Sequence, residues 1–364
     1  MGITIIMTKF YRLQDQDHWP VHAVETGPRA DQLLRDGMAS GMSVAVQGFA
    51  LGTAMFAFSE SKLIGDLETH GELQAKSAAE RNHYDYPQTL GLLRFLVTQG
   101  LFSEEAGEVF RPTPKGTAAT SATSLAALRF FIGGYGHLMM QGRNLLEQKV
   151  VYGREVTRDS FYVATGTKLN TASFMDMVPL AVLAKKGAKK IADLGCGAGQ
   201  LLIEWVKGGA DRTGVGIDLA PEAIEEARAS ATSQGVGDRL KFHVGNAFDN
   251  ATIFPHIHDV DVIFSFAMEH EGLRDGEGAV LSHIDAMAKQ FPGKRYLLGE
   301  PTLNMSVADG MFYWLHVLSL QGIPRNVPGW CDLLGKLKTA KLCEVYVADH
   351  RQWCLYFDIE FPHV

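Results

Sequence analysis

A chain of 364 residues, 46% hydrophobic and 21% charged, is too long for one ordinary core and too apolar for disorder, so two folded domains are expected. A net charge of -7 argues against general nucleic-acid affinity, which needs concentrated Lys and Arg. The 4 cysteines (Cys196, Cys331, Cys343 and Cys354) have neither CxxC spacing nor the density of a disulfide framework, which suits reduced thiols in a cytoplasmic protein.

The N-terminal "MGITIIMTKFYRLQDQDHWP" has an apolar run too short for a signal peptide, and no uninterrupted run reaches the roughly 18 residues of a membrane span. No membrane association is therefore expected. Residues 1–40 are polar and irregular and read as an arm. Over residues 42–64 apolar side chains recur at helical spacing. "YDYPQTLGLLRFLVTQGLF" predicts a second helix, with Pro87 tolerated in its first turn and Gly100 as its stop. "FSEEAGEVFRPTPKG" predicts a hairpin turning at Ala106 and Gly107. Helix, helix and hairpin outline a winged-helix-like module, placed at residues 41–150. "SLAALRFFIGGYGHLMMQGRNLLEQ" continues in helical rhythm towards a second domain at residues 151–364.

From Lys189 short apolar runs alternate with amphipathic helices: "KIADLG", "QLLIEWVKGG", "TGVGIDLA", "PEAIEEARASATSQG", "LKFHVGNAF", "VDVIFSFAM" and "RYLLGEP". That alternation predicts an α/β domain, a parallel sheet covered by helices on both faces. Ligands of such sheets bind beyond the carboxyl ends of the strands.

The first of these strands runs into "GCGAGQ". Gly195, Gly197 and Gly199 let the backbone turn sharply and approach a ligand closely, and the next helix points its free N–H groups at the same place. Asp193 at the strand end would take an ammonium or a hydroxyl. Asp218, closing "GVGID", is placed to accept both hydroxyls of a ribose. No GK[ST] follows, which excludes a P-loop, and the third glycine comes one residue early for the NAD fingerprint.

"DLGCGAGQ", "GVGIDLAPEAIEEAR" and "KFHVGNAF" together resemble the first three motifs of class I S-adenosylmethionine-dependent methyltransferases. The resemblance implies a Rossmann-like, mostly parallel seven-stranded sheet with S-adenosylmethionine as co-substrate. It implies that Gly195 and Gly197 lie against the methionine portion, that Asp218 holds the ribose and that Leu219 lies beside the adenine. Asn246, Ala247 and Phe248 fall where the family contacts the adenine, Asn246 standing where Asp is frequent. Ser265, near the end of the fourth strand, completes the implied cofactor set.

"FSFAMEHEGLRDGEGAVLSHIDAMAKQFPGKRYLLGEP" resembles the His-Asp-Trp segment of small-molecule methyltransferases that dimerise through an N-terminal winged-helix domain. The resemblance implies a homodimer, a small-molecule acceptor and His270 as general base; Glu271 and Gly272 replace the Asp and Trp. Imidazole suits that task because its pKa lies near operating pH. His270, Glu271 and His316 also make up a facial-triad donor set for a divalent metal or iron. A subset of the family that methylates the carbon beside a 2-oxo acid carries metal ligands at the corresponding positions. Otherwise His316, in "MFYWLHVL", is a core or pocket residue. Tyr162 or Phe161 would suit the sulfonium through an aromatic face. Arg143, beside Asn144, would suit an acceptor carboxylate.

Two other readings stay open. One is an enzyme that uses the aminocarboxypropyl chain of the same cofactor and releases methylthioadenosine. The other is a metabolite-sensing winged-helix regulator, against which the acidic balance speaks, since the expected recognition helix offers only Arg94 as a base-reading cation.

Overall fold

Residues 28–170, 177–303, 310–320, 322–348 and 351–363 are described by the computed structural model. The chain divides after Ala50 into two compact units. In the first, Pro28–Ala39 is a helix where the sequence reading expected irregular chain. Pro28 occupies the first turn, where its missing N–H costs nothing. Residues 1–27 of the expected arm lie outside the described residues.

The helix Met42–Glu60 crosses the boundary between the units. Among the described residues it is the one helix long and apolar enough to cross a membrane by length and composition. The sequence reading places a helix here, and Ser43, Gln47 and Thr53 interrupt its apolar run.

In the second unit Leu63–His70, Ala75–Asn82 and Tyr86–Thr98 are helices, with β1 (Leu73–Gln74) between the first two. The Asp85 carboxylate caps the third by accepting from the Gln88 N–H at 2.8 Å, ahead of Pro87 in the first turn. β2 (Phe102–Glu105) and β3 (Val109–Pro112) form the expected hairpin, and the small sheet runs β1-β3-β2. Phe58, Leu73, Leu93, Leu96 and Phe110 are fully buried between these elements.

The expected linking helix is broken. Ala122–Ala127 is α-helical, Leu128–Gly134 widens to a π-helix, and Gly136–Met140 and Gly142–Leu146 are separate short helices. The π-helical stretch packs closely against the helix Ser160–Asn170. A Cβ on Gly133 would stand 2.6 Å from Tyr162 Cγ, and one on Gly134 would stand 2.7 Å from Val163 Cγ2. Periodicity alone does not reveal such a contact.

The large sheet contains β4 (Lys190–Leu194), β5 (Thr213–Asp218), β6 (Leu240–Val244), β7 (Val262–Phe266), β8 (Arg295–Pro301), β9 (Lys341–Ala348) and β10 (Arg351–Glu360). Its order is β6-β5-β4-β7-β8-β10-β9. All pairs are parallel except those of β10 with β8 and β9. Alternate side chains of one strand enter the two apolar layers. Ile191 joins Leu202, Trp205 and Ile224 on one face, while Ala192 and Leu194 join Ile263, Ile284 and Trp330 on the other. After β6 the chain returns to the other side of β4, so order reverses between β4 and β7. That reversal opens a crevice beyond their carboxyl ends.

Candidate active site

A cavity of about 710 Å³ occupies that crevice. At one end the chain leaves β4 through Gly195, Gly197 and Gly199, all at positive φ (77°, 51° and 74°). The Gly195 and Cys196 N–H groups both donate to the Ile217 carbonyl, stitching this turn to β5. Asp218, at the tip of β5, accepts from Gly197 N–H through Oδ2 at 2.8 Å and from Ala220 N–H through Oδ1 at 2.9 Å. One carboxylate thus fixes both loops at the lip of the cavity. Asp193 lines the same end and is buried. Burial, then Asp193 and Asp218, push the Cys196 thiol well up, which favours its neutral form.

At the other end stands the short helix Glu269–Gly272. Glu300, near the end of β8 and wholly buried, caps it. Its Oε1 accepts the N–H groups of Met268, Glu269 and His270 at 3.1, 2.7 and 3.3 Å. Its Oε2 lies 2.8 Å from His270 Nδ1. On the far side, His270 Nε2 lies 3.2 Å from His316 Nε2, and His316 Nδ1 lies 2.6 Å from the Phe312 carbonyl.

The three contacts made by the ring nitrogens fix the protons. A carbonyl only accepts, so His316 carries its proton on Nδ1 and its Nε2 is bare. His270 then supplies the proton between the two rings from its own Nε2. Its Nδ1 is therefore an acceptor, and Glu300 donates from Oε2 as a neutral acid. Burial drives every group the same way. Desolvation, then the neighbouring Glu269, holds the Glu300 carboxyl well above its usual range. Desolvation lowers His270 to about 4, and desolvation followed by the His270 charge lowers His316 to about 4.

A second buried group braces this helix. Glu269 Oε1 accepts from Tyr296 Oη at 2.9 Å and lies 2.8 Å from His283 Nδ1. The wall facing His270 is aromatic and aliphatic, with Phe130, Phe131, Phe312 and Leu315. Arg158 lines it too, donating from Nη1 to Tyr135 Oη at 3.3 Å and standing 3.7 Å from Glu271.

Residues 185–295 match the methyltransferase domain family. That segment, under a third of the chain, carries a methyltransferase domain. It is 26% identical over 272 residues to methyltransferase ungE' of Aspergillus campestris (strain IBT 28561), covering 73% of this chain and 75% of that protein. Over 151 residues it is 43% identical to the ribosomal protein L11 methyltransferase of Enterobacter sp. (strain 638), 41% of this chain but only 46% of that protein. Its fold is similar to mitomycin 7-O-methyltransferase MmcR, with a TM-score of 0.67 and 18% identity over 91% of this chain and 100% of that one. It is similar too to human N-acetylserotonin methyltransferase in complex with SAM, with a TM-score of 0.66 and 18% identity over 93% of this chain and 100% of that one. A methyltransferase domain makes the chain a transferase.

The methyltransferase cavity gathers Asp193, Gly195, Gly197, Asp218, His270, Glu271 and His316 of the residues singled out from sequence. The others lie elsewhere. Leu219 is 71% exposed beside the lip. Asn246 is exposed, its Oδ1 accepting from Phe248 N–H; Ala247 is in the core, and Phe248 packs against the His283 ring. Ser265 is fully buried and bonds to Tyr296 Oη at 2.6 Å, so its hydroxyl faces the core. Tyr162 packs edge-on against Phe56 and Phe161 rather than lining the cavity. Arg143 is 82% exposed and pairs with Glu147, and Asn144 bonds Gln141.

The metal triad is corrected to a pair. The two imidazoles meet, but Glu271 faces Arg158, and among the described residues no three donors gather as a metal set. The residues present do not fit the expected metal, and the chemistry below is derived without one. Glu300, bonded to His270, and Arg158, lining the cavity, are residues of the site that the sequence reading did not single out. An acid closing the apolar run "RYLLGEP" at a strand's carboxyl end was a usable signal for the first. No pattern marks the second, which sits in a loop.

Proposed function

We propose that the protein transfers the methyl group of S-adenosylmethionine to a small molecule, in the manner of enzymes of secondary metabolism. One observation carries this: the Gly195–Gly197 turn with Asp218 and the His270–His316 pair open into a single cavity. The donor's methionine portion lies along the glycine turn, with its ammonium at Asp193 and its ribose at Asp218. The acceptor lies between the sulfonium and His270.

The working form of the site is one proton short of the neutral chain described above. Glu300 is then a carboxylate, His270 holds its proton on Nδ1, and the two Nε2 lone pairs oppose each other. An acceptor X–H bond breaks, its proton goes to the seat between the imidazoles, and its electron pair stays on X. X attacks the methyl carbon in line, the S–C bond breaks with its electrons on sulfur, and S-adenosylhomocysteine leaves. The proton neutralises the buried negative charge of Glu300, a gain made only as the reaction proceeds. Alignment of acceptor and methyl group inside an apolar cavity supplies the rest.

The finer proposal is that X is the carbon beside the carbonyl of a 2-oxo acid. A proton seat shared by two neutral imidazoles suits removal of a carbon-bound proton better than a solvated base does. We also propose a cytoplasmic homodimer built through residues 41–150, which the exposed apolar side chains Met42, Val44, Val46 and Phe49 support. Sedimentation at several concentrations tests the dimer, and a monomer throughout would refute it.

The chemistry is tested by incubating the protein with S-adenosylmethionine alone and with panels of phenols and 2-oxo acids. Mass spectrometry of the nucleoside product is decisive. S-adenosylhomocysteine with a methylated acceptor is expected; methylthioadenosine would select use of the aminocarboxypropyl chain instead.

A further inference from the structure

Among the described residues that line the cavity, Arg158 is the only Lys or Arg. Its guanidinium has five N–H donors in a fixed fork. Only one hydrogen bond from it is seen among the described residues, the 3.3 Å contact with Tyr135 Oη. Glu271, its nearest carboxylate, stands 3.7 Å away, close enough to offset charge but beyond hydrogen-bond reach. Around this half-filled fork the wall is Phe130, Phe131, Phe312 and Leu315. With 31% of its side chain exposed, the fork is open to the cavity, and a matching oxyanion entering there would complete it. Tyr135 and Glu271 keep Arg158 charged against the opposing pull of burial.

We propose that Arg158 is the anchor for an oxyanion of the acceptor. The substrate is then an acid with an aromatic or branched aliphatic body: its carboxylate fills the Arg158 fork, its body lies against Phe130, Phe131, Phe312 and Leu315, and its reacting atom faces His270. Bidentate pairing of guanidinium with carboxylate supplies the geometry as well as the attraction. The assignment rests on the reading of this cavity as a methyl-acceptor site, and it holds whether oxygen or carbon is methylated.

The test is calorimetric binding of phenylpyruvate, 3-phenylpropanoate and 4-methyl-2-oxopentanoate, each against its uncharged primary amide. Titrations are run with and without saturating S-adenosylhomocysteine. At least one acid is expected to bind about 10- to 100-fold more tightly than its amide, the range of one charge-assisted pair. Arg158→Gln should erase that difference and leave amide and S-adenosylhomocysteine affinities unchanged. Arg158→Lys, which keeps the charge and loses the fork, should restore only part of it. If no acid outbinds its amide in the wild type, or if Arg158→Gln keeps the preference, the proposal is wrong. Failure of S-adenosylhomocysteine to bind would overturn the donor reading instead, and the acid–amide comparison without it still decides the role of Arg158.

Discussion

His270 and Glu300 are joined twice, ring Nδ1 to Oε2 at 2.8 Å and backbone N–H to Oε1 at 3.3 Å. One carboxyl group therefore both holds the short helix and sets the protonation of the imidazole it carries. The two tasks separate by substitution. Glu300→Gln keeps an oxygen for the three backbone N–H groups but makes the contact to Nδ1 a permanent donor, which locks the chain in its proton-loaded form. kcat should fall about 100- to 1,000-fold with the melting temperature and S-adenosylhomocysteine affinity little changed. Glu300→Ala should in addition lose about 2–4 kcal/mol of stability, because three buried donors lose their acceptor. Steady-state kinetics beside urea unfolding of both variants makes the comparison.

Stability should pass through a maximum near pH 6.5. His270 and His316, lowered to about 4 in the folded state, bind fewer protons there than in the unfolded chain, where the ordinary value is 6.5. The unfolded state gains protons between those values, so these two residues cost stability as pH falls from about 6.5 towards 4. Glu300, raised above its ordinary value by burial and Glu269, works in the opposite sense. The folded state then keeps a proton that the unfolded state has lost, and stability falls as pH rises. His283 is raised in spite of burial, by the charge of Glu269 and its hydrogen bond, and it adds stability that is likewise lost as pH rises above 6.5. Thermal midpoints from pH 5 to 9 check the shape. His316→Phe should flatten the acid side and Glu300→Gln the alkaline side.

Asp218→Ala removes the acceptor of both the Gly197 and the Ala220 N–H groups. Binding of S-adenosylhomocysteine by calorimetry should weaken about 100-fold. Equal affinity would mean that the donor does not lie on this lip.

Gly197 and Gly199 should respond differently to alanine. Both have positive φ, but a Cβ on Gly197 meets nothing within 4 Å, whereas one on Gly199 meets Phe242 Cε1 at 2.8 Å. Gly197→Ala should cost about 1 kcal/mol of backbone strain, and Gly199→Ala about 2–4 kcal/mol. Chemical denaturation of the two variants measures the difference.

The parts legible in the sequence were those set by local chemistry. Alternation of apolar runs with amphipathic helices located β4 to β8, because strands buried on both faces cannot hide their composition. Glycine spacing and the acid closing β5 located one end of the cavity, the end proposed for the donor, because tight turns and close approach exclude side chains. The acceptor end was half legible. His270 and His316 stood out as titratable residues in apolar surroundings, yet their meeting at 3.2 Å depends on how the helix Gly310–Leu318 packs. Tyr162 and Arg143 were misplaced for the same kind of reason. The irregular stretch between the helices Gly142–Leu146 and Ser160–Asn170 brings Arg158 to the cavity instead.

Asp218 has one further consequence. Each of its oxygens already accepts one backbone N–H, which leaves one outward lone pair on each. The lip can thus answer a pair of neighbouring hydroxyls, one per oxygen. On the donor placement proposed above, a 2′- or 3′-deoxy donor would leave one lone pair of a fixed carboxylate with nothing to accept, so it should bind more weakly than the ribonucleoside.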